Sequence, residues 1–262
     1  MEFFGKFEKA GTNMTISEPI SYECVNETGS TNSDLLERIR KEGLSHTVVR
    51  RALRQTQGRG TRGRSWNGNV DCLMFSVAIP IGNNLQKMSG ITLAIGAHIV
   101  LALRKRGINA EVKWPNDILL NGKKLAGILV ESAKGPNRQY SLVIGIGFNL
   151  KTQNCSSDYG HASLSDVGSP SMNFDAQYWL SILVESILDS VREVKTDGLG
   201  PTATLWDKIT AYKNQAVLIY EEEGAPYEAT LVGIDSKGHL LVRSDNGMKT
   251  LISGTISLRL KK

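Results

Sequence analysis

The sequence has no run approaching the ~20 uninterrupted apolar residues that would span a bilayer, and its opening, MEFFGKFEKAGTNMTIS, has early acids and no apolar export core. The expectation is a cytoplasmic protein with no membrane role. Cysteine is scarce: Cys24, Cys72 and Cys155 are odd in number, far apart and outside any Cys-x-x-Cys spacing. That pattern excludes a disulfide framework and gives no zinc site, so no metal ligands are assigned. Internal repeats and low-complexity tracts are also missing. The last absence is local: no acid lies between Glu42 and Asp71, although the chain has 26 Asp and Glu in all.

What is present is ordinary globular material. With 262 residues, 40% hydrophobic and 22% charged, the chain is sized for one large domain or a medium domain with a small appendage. The acid-free stretch holds Arg50, Arg51, Arg54, Arg59, Arg62 and Arg64, more positive charge than the net +5 of the whole chain. Such a block suits nucleic acid or a small anionic ligand such as a triphosphate or carboxylate.

Hydrophobic spacing predicts a short helix over residues 32–41, with Ser30, Thr31, Asn32 or Ser33 as N-cap, and a buried strand over 72–80. A long buried helix is expected over 87–106, ended by Gly107. Short β-leaning segments at 110–114, 117–120, 124–131 and 140–149, split by Pro-Asn-Asp, Asn-Gly and Lys-Gly-Pro-Asn, read as an antiparallel meander. Residues 174–194 and 201–212 read as helices covering one sheet face. From Asn214 onward the pattern changes to short alternating runs with six acids and six bases, a small all-β module without a nucleic-acid signature.

Three segments carry chemistry. In QGRGTRGRSW (57–66) three glycines free the backbone to wrap a ligand, while Arg59, Arg62 and Arg64 offer two-point contacts to phosphate or carboxylate. On its own this segment is equally an exposed, flexible basic loop. KWPND followed by NGKKLAG (113–127) contains turn chemistry, but a plain hairpin does not explain Lys124, which opens an apolar strand and can sit near Asp117 across the hairpin. GIGFN (145–149) ends a strand with two glycines and a polar side chain, as when backbone approaches a nucleotide.

In this order and at these distances the chain resembles the biotin protein ligases, through Gly29-Ser30-Thr31-Asn32, Gln55, GRGTRGRSW, KWPND, KLAGILVE, GIGFN and the terminal GTISLR, over residues 22–260. The resemblance implies an α+β fold: a mixed, largely antiparallel sheet with packed helices, like the class II synthetases, plus a small C-terminal SH3-like β-barrel. It divides the chain into an N-terminal tail (1–20), a catalytic domain (21–212) and the C-terminal domain (213–262). It also implies that biotin and Mg2+-ATP form biotinyl-5'-AMP, from which a lysine of a biotin carboxyl carrier protein takes the biotinyl group. By the resemblance, Lys124, Arg59 and Asp117 are catalytic. Ser30, Thr31, Asn32, Gln55, Gly58, Arg59, Arg62, Lys124 and Gly127 hold biotin. Arg62, Arg64, Trp66, Asn116, Lys124, Asn149 and Arg259 lie on the ATP side. Trp66 and Trp114 pack around the ligand or in the core.

Two departures stand out. Thr61 occupies a loop position that is frequently basic in relatives, and the stretch 160–168 has no tryptophan for the adenine. A lipoate ligase is the nearest competing enzyme, and a homodimer is left open. A DNA-binding repressor is not expected, because 29 residues before Ser30 fall short of the ~50 of an independent small domain. A basic-loop RNA-binding module would bind with steep salt dependence and no need for ATP. Nucleic acid is therefore not among the expected partners.

Overall fold

The structure, a computed structural model, describes residues 19–66, 71–151, 160–221, 224–252 and 257–261. Most of the expected N-terminal tail, Cys155 and the Gly-Thr-Ile part of the terminal GTISLR motif lie outside these. Two sheets form the frame. The larger has seven strands in the order β1-β2-β3-β7-β6-β5-β4, and the smaller has five in the order β11-β10-β9-β8-β12.

The chain enters through β1 (Ile20–Thr28), crosses by α1 (Thr31–Glu42) and returns in β2 (Thr47–Gln55) parallel to β1. Neither strand was expected from the sequence. Every other pairing in the large sheet is antiparallel: β3 (Cys72–Gly82), β4 (Ala110–Lys113), β5 (Asp117–Leu120), β6 (Lys123–Lys134) and β7 (Tyr140–Asn149). This mixed sheet with packed helices is the α+β fold class read from the sequence. The register of the first pair, Thr28 opposite Gln55, brings the carboxyl ends of β1 and β2 side by side. Polar side chains from both strand ends can therefore converge on one point.

The long apolar segment forms two elements rather than one. A 3-10 turn (Leu85–Met88) precedes α2 (Ile91–Arg104), because Gly90 adopts φ +76, a left-handed conformation that breaks helix continuity. Gly107, at φ +77, follows the helix. Helix α2 is apolar on nearly all sides and buries Leu93, Ile95, Ile99, Val100 and Leu103. Each such side chain contributes roughly 1.5–3 kcal/mol by leaving water. Helices α3 (Ala176–Asp197) and α4 (Gly200–Ile209) were expected to cover a sheet face, but α3 rests mainly on α2, which itself covers the sheet. Helix α1 lies on the opposite face, burying Leu35, Leu36 and Ile39 against Val48, Ala78 and Val143.

After α4, Ala211 N–H donates to Val112 O at 2.8 Å, leading the chain past the β4 edge into β8 (Ala216–Tyr220), β9 (Tyr227–Ile234), β10 (Leu240–Ser244), β11 (Gly247–Leu251) and β12 (Ser257–Leu260). The turn between β9 and β10 locks this sheet to the large one. A Cβ on Gly238 would lie 2.9 Å from Leu93 and 3.0 Å from Leu199, and the buried Trp114 donates its indole N–H to Gly238 O at 3.1 Å. Trp114 thus does a core and linking job. Among the described residues no helix is long and apolar enough to cross a membrane.

Candidate active site

Ser30 caps α1 with extended backbone, accepting from Ser33 N–H at 3.5 Å, so the helix starts where β1 ends. At that start, Thr31 N–H donates to Gln55 Oε1 at 2.8 Å, and Thr31 Oγ1 meets the buried Ser76 hydroxyl at 2.6 Å. Ser30, Thr31 and Asn32 are all buried. This neutral polar cluster forms one wall of a cavity of about 120 Å3.

The glycine and arginine segment folds as a tight hairpin. Trp66 N–H donates to Gly58 O and Gly60 N–H to Arg64 O, each at 2.8 Å. A Cβ on Gly58 would lie 2.3 Å from Trp66 O, which accounts for glycine there. The hairpin delivers the Trp66 indole onto the sheet. A Cβ on Gly147 would fall 2.1 Å from the indole, and one on Gly127 would fall 3.0 Å from it and 3.2 Å from Lys124 Nζ. The groups that come close to Gly147 of GIGFN and Gly127 of KLAG are thus this chain's own indole and lysine. Trp66 Nε1 is buried with no hydrogen-bond partner among the described residues.

Opposite the neutral wall lies the charged one. The β5–β6 register slips between Ile118 and Leu119, so that Asp117 pairs with Gly127 while Leu119 pairs with Lys124. A bulge of this kind re-aims side chains. It leaves Lys124 Nζ 2.6 Å from Asp117 Oδ1, with Lys113 Nζ 3.6 Å from Asp117 Oδ2. Burial pushes Lys113 down to about 8, against the opposing pull of Asp117. Asn116 pins the turn by donating to Ile128 O at 3.0 Å. Arg59 reaches across the cavity mouth to Glu131 Oε1 at 2.5 Å.

The structure gathers Ser30, Thr31, Asn32, Gln55, Arg59, Arg64, Trp66, Asn116, Asp117, Lys124 and Gly127 around this one cavity. Arg62, at φ +60, lines a second cavity of about 650 Å3 that shares Arg59, Arg64, Asn116 and Asp117 with the first. The second is within the ~300–1,000 Å3 of small-ligand pockets, and the first is below it. Asn149 lines neither cavity and instead donates to Lys124 O at 3.2 Å and Ala162 O at 2.9 Å, holding β6 to residues 160–162. Gly58 and Arg259 also line neither, and Arg259 stacks over the Tyr220 ring with a centroid distance of 4.8 Å.

The arginine block divides. Arg50 pairs with Glu23 and Asp34, and Arg54 with Glu27, so two of the three β2 arginines are neutralised by β1 and α1. Of this block, Arg59, Arg62 and Arg64 line the two cavities described above, whereas Arg50 lines a separate one beside β1. The sequence reading gave no role to Lys113, Glu131 or Ser76, although Lys113 and Glu131 stand in the KWPND and KLAGILVE motifs; Ser76 had no signal beyond its place in an apolar strand. Among the described residues no three His, Cys, Asp or Glu gather as a metal site.

Residues 24–149 match the biotin/lipoate A/B protein ligase family, and residues 214–259 match the biotin protein ligase C-terminal domain. The bifunctional ligase/repressor BirA of Escherichia coli is 31% identical over 235 residues, 88% of this chain and 71% of that protein. The chain belongs to the biotin protein ligase family. The biotin acetyl-CoA-carboxylase ligase of Paracoccus denitrificans is 29% identical over 245 residues, 86% of this chain and 95% of that one. In fold, the chain is similar to the biotin protein ligase of Aquifex aeolicus solved with biotin and ATP, with a TM-score of 0.77, 24% identity, and coverage of 92% and 99%. Both parts of the biotin ligase architecture are thus represented in one chain.

Proposed function

We propose that the chain activates biotin with ATP and transfers it to a lysine of a biotin carboxyl carrier protein. The observation carrying this reading is a single cavity with a neutral polar wall at Ser30, Thr31 and Gln55 and a cationic wall at Arg59, Arg64 and Lys124. Biotin has that polarity, a ureido ring at one end and a carboxylate at the other. The ureido group matches hydroxyl and amide partners, whereas the dithiolane of lipoate has no donor or acceptor to offer them beyond weakly accepting sulfur.

In the first step a biotin carboxylate oxygen attacks the α-phosphorus of ATP. The bond to the β-phosphate oxygen breaks and pyrophosphate leaves. Two anions must approach, and Lys124 with the hairpin arginines supplies the positive field that lowers that barrier. Mg2+ enters as the counterion of the ATP phosphates, within the substrate. In the second step the acceptor lysine arrives as an ammonium, gives its proton to bulk water and attacks the carbonyl of biotinyl-5'-AMP, so that the amide bond forms as the bond from the carbonyl carbon to the phosphate oxygen breaks and AMP leaves. Asp117, already binding Lys124 and Lys113, is the carboxylate placed to receive an incoming ammonium. The 650 Å3 cavity, lined by Arg62, Arg64 and Lys113, accommodates the nucleotide side.

The partition into a catalytic domain (21–212) and a C-terminal domain (213–262) follows the two sheets, and the reading places the chain in the cytoplasm with ATP. Biotin-dependent exchange of labelled pyrophosphate into ATP tests the activation step. Exchange with biotin and none with lipoate supports the reading, and exchange with lipoate alone overturns it.

A further inference from the structure

The geometry points to Glu131 as the residue that positions Arg59 over the cavity, with Asn32 and Ser76 holding Glu131 in place; this rests on the biotin ligase reading of that cavity. Arg59 donates to Glu131 Oε1 at 2.5 Å and to Ser33 Oγ at 3.2 Å. An exposed pair of this kind would ordinarily contribute little, because two long side chains must be ordered to form it. Here the acid is ordered in advance. Asn32 Nδ2 donates to Glu131 Oε2 at 2.9 Å, and Asn32 Oδ1 accepts from Ser76 Oγ at 2.5 Å. Asn32 and Ser76 are both fully enclosed, and Ser76 is tied in turn to Thr31.

The sequence makes room for this chain of bonds. A Cβ on Gly145 would lie 2.3 Å from Asn32 Oδ1, so a side chain there would expel the amide that anchors Glu131. Glu131 also lies beyond the Lys123–Gly127 stretch that β5 covers, so it sits on β6 where no fifth strand requires a particular residue. Arg59 offers five N–H donors and spends two on Glu131 and Ser33, which leaves the others for a ligand anion. Without Glu131 the guanidinium, carried between Gly58 and Gly60, would have to be ordered by the ligand itself. That cost appears as weaker biotin binding rather than slower chemistry.

The test uses Glu131→Ala, Glu131→Gln, Arg59→Ala and the double variant Glu131→Ala/Arg59→Ala. Glu131→Ala is expected to raise the KM for biotin about tenfold while kcat for pyrophosphate release stays within about threefold, a split set by side-chain ordering. Glu131→Gln should fall between, because Asn32 can turn its amide over and keep every bond except the charge. In the Arg59→Ala background the Glu131→Ala change should add less than about twofold. In ligand-free protein with an unchanged melting temperature, trypsin should cut the 59–64 hairpin about tenfold faster in Glu131→Ala than in wild type. Wild-type KM and cleavage in Glu131→Ala, or an undiminished effect without Arg59, would overturn the proposal. If the wild type releases no pyrophosphate with biotin, the ligase reading fails, while the cleavage comparison still decides whether Glu131 holds the hairpin.

Discussion

Replacing Lys124 with methionine removes one charge and little volume, and the structure sets the size of the loss. Lys124 Nζ lies 2.6 Å from Asp117 Oδ1 and 5.3 Å from the Trp66 ring centroid, with the side chain 19% exposed. A developing negative charge about 4 Å from Nζ is stabilised by about 4 kcal/mol at an effective dielectric of 20. Water and the remaining arginines recover part of that, so the rate of biotinyl-5'-AMP formation should fall about 10²–10³-fold, the range seen when one preorganised donor to a transition state is lost. Stability should suffer less. Asp117 keeps Lys113 at 3.6 Å, so the cost stays below the ~3–5 kcal/mol of a buried acid left with no partner. The assay is single-turnover pyrophosphate release at saturating biotin and ATP, beside urea unfolding of both proteins. A release rate within about twofold of wild type would refute the role given to Lys124, since even 1.4 kcal/mol corresponds to about tenfold.

Gly147→Ala should displace the Trp66 indole, since the new methyl would sit 2.1 Å from it. Overpacking of this kind costs about 1–3 kcal/mol, and Trp66 fluorescence with thermal unfolding would register both changes. Lys113, held near 8 against its ordinary 10.5, binds its proton less tightly in the folded state. Below pH 8 both states are protonated and burial of the charge opposes folding; between about 8 and 10.5 the unfolded state binds more protons, so stability rises with pH. At about 1.4 kcal/mol per tenfold the gain approaches roughly 3 kcal/mol, and Lys113→Met should abolish it in urea titrations across that window. Gly238→Ala should loosen the small sheet from the large one, because its methyl would press on Leu93 and Leu199. A melting temperature lowered by several degrees, with biotin-dependent pyrophosphate release impaired, is the expected readout.

The legible parts of the fold were those with unambiguous local physics. The start of α1 within residues 30–33, the apolar run of β3, the turns of the β4–β7 meander and the alternating strands after Asn214 all declare themselves through spacing and turn residues; which of the four polar residues caps α1 does not. β1 and β2 did not. β1 is an edge strand of mostly half-exposed residues, and β2 carries Arg50, Arg51 and Arg54, which read as ligand-seeking charge when most of it is answered by Glu23 and Glu27 on β1 and Asp34 on α1. The break before α2 depended on one glycine backbone angle at Gly90.

At the site, Lys124 and Asp117 were readable because a hairpin brings such positions together, although the bulge that sets their 2.6 Å contact was not. Glu131, Ser76 and Asn32 form a chain across β6, β3 and α1, and a single sequence offers no spacing rule for contacts between residues that far apart. The two glycines of GIGFN were read as open to a nucleotide. Their immediate neighbours are Asn32 and Trp66.

Activation of biotin in the cavity between Gln55 and Lys124, for transfer to a protein lysine, underlies every role given above. Its most direct test is the mass of a biotin carboxyl carrier domain after incubation with the purified chain, biotin and Mg2+-ATP. One added biotin per carrier is expected, on a single lysine, with none when ATP is omitted or the acceptor lysine is replaced. An unchanged carrier mass, alongside an enzyme that binds biotin and ATP, would contradict it.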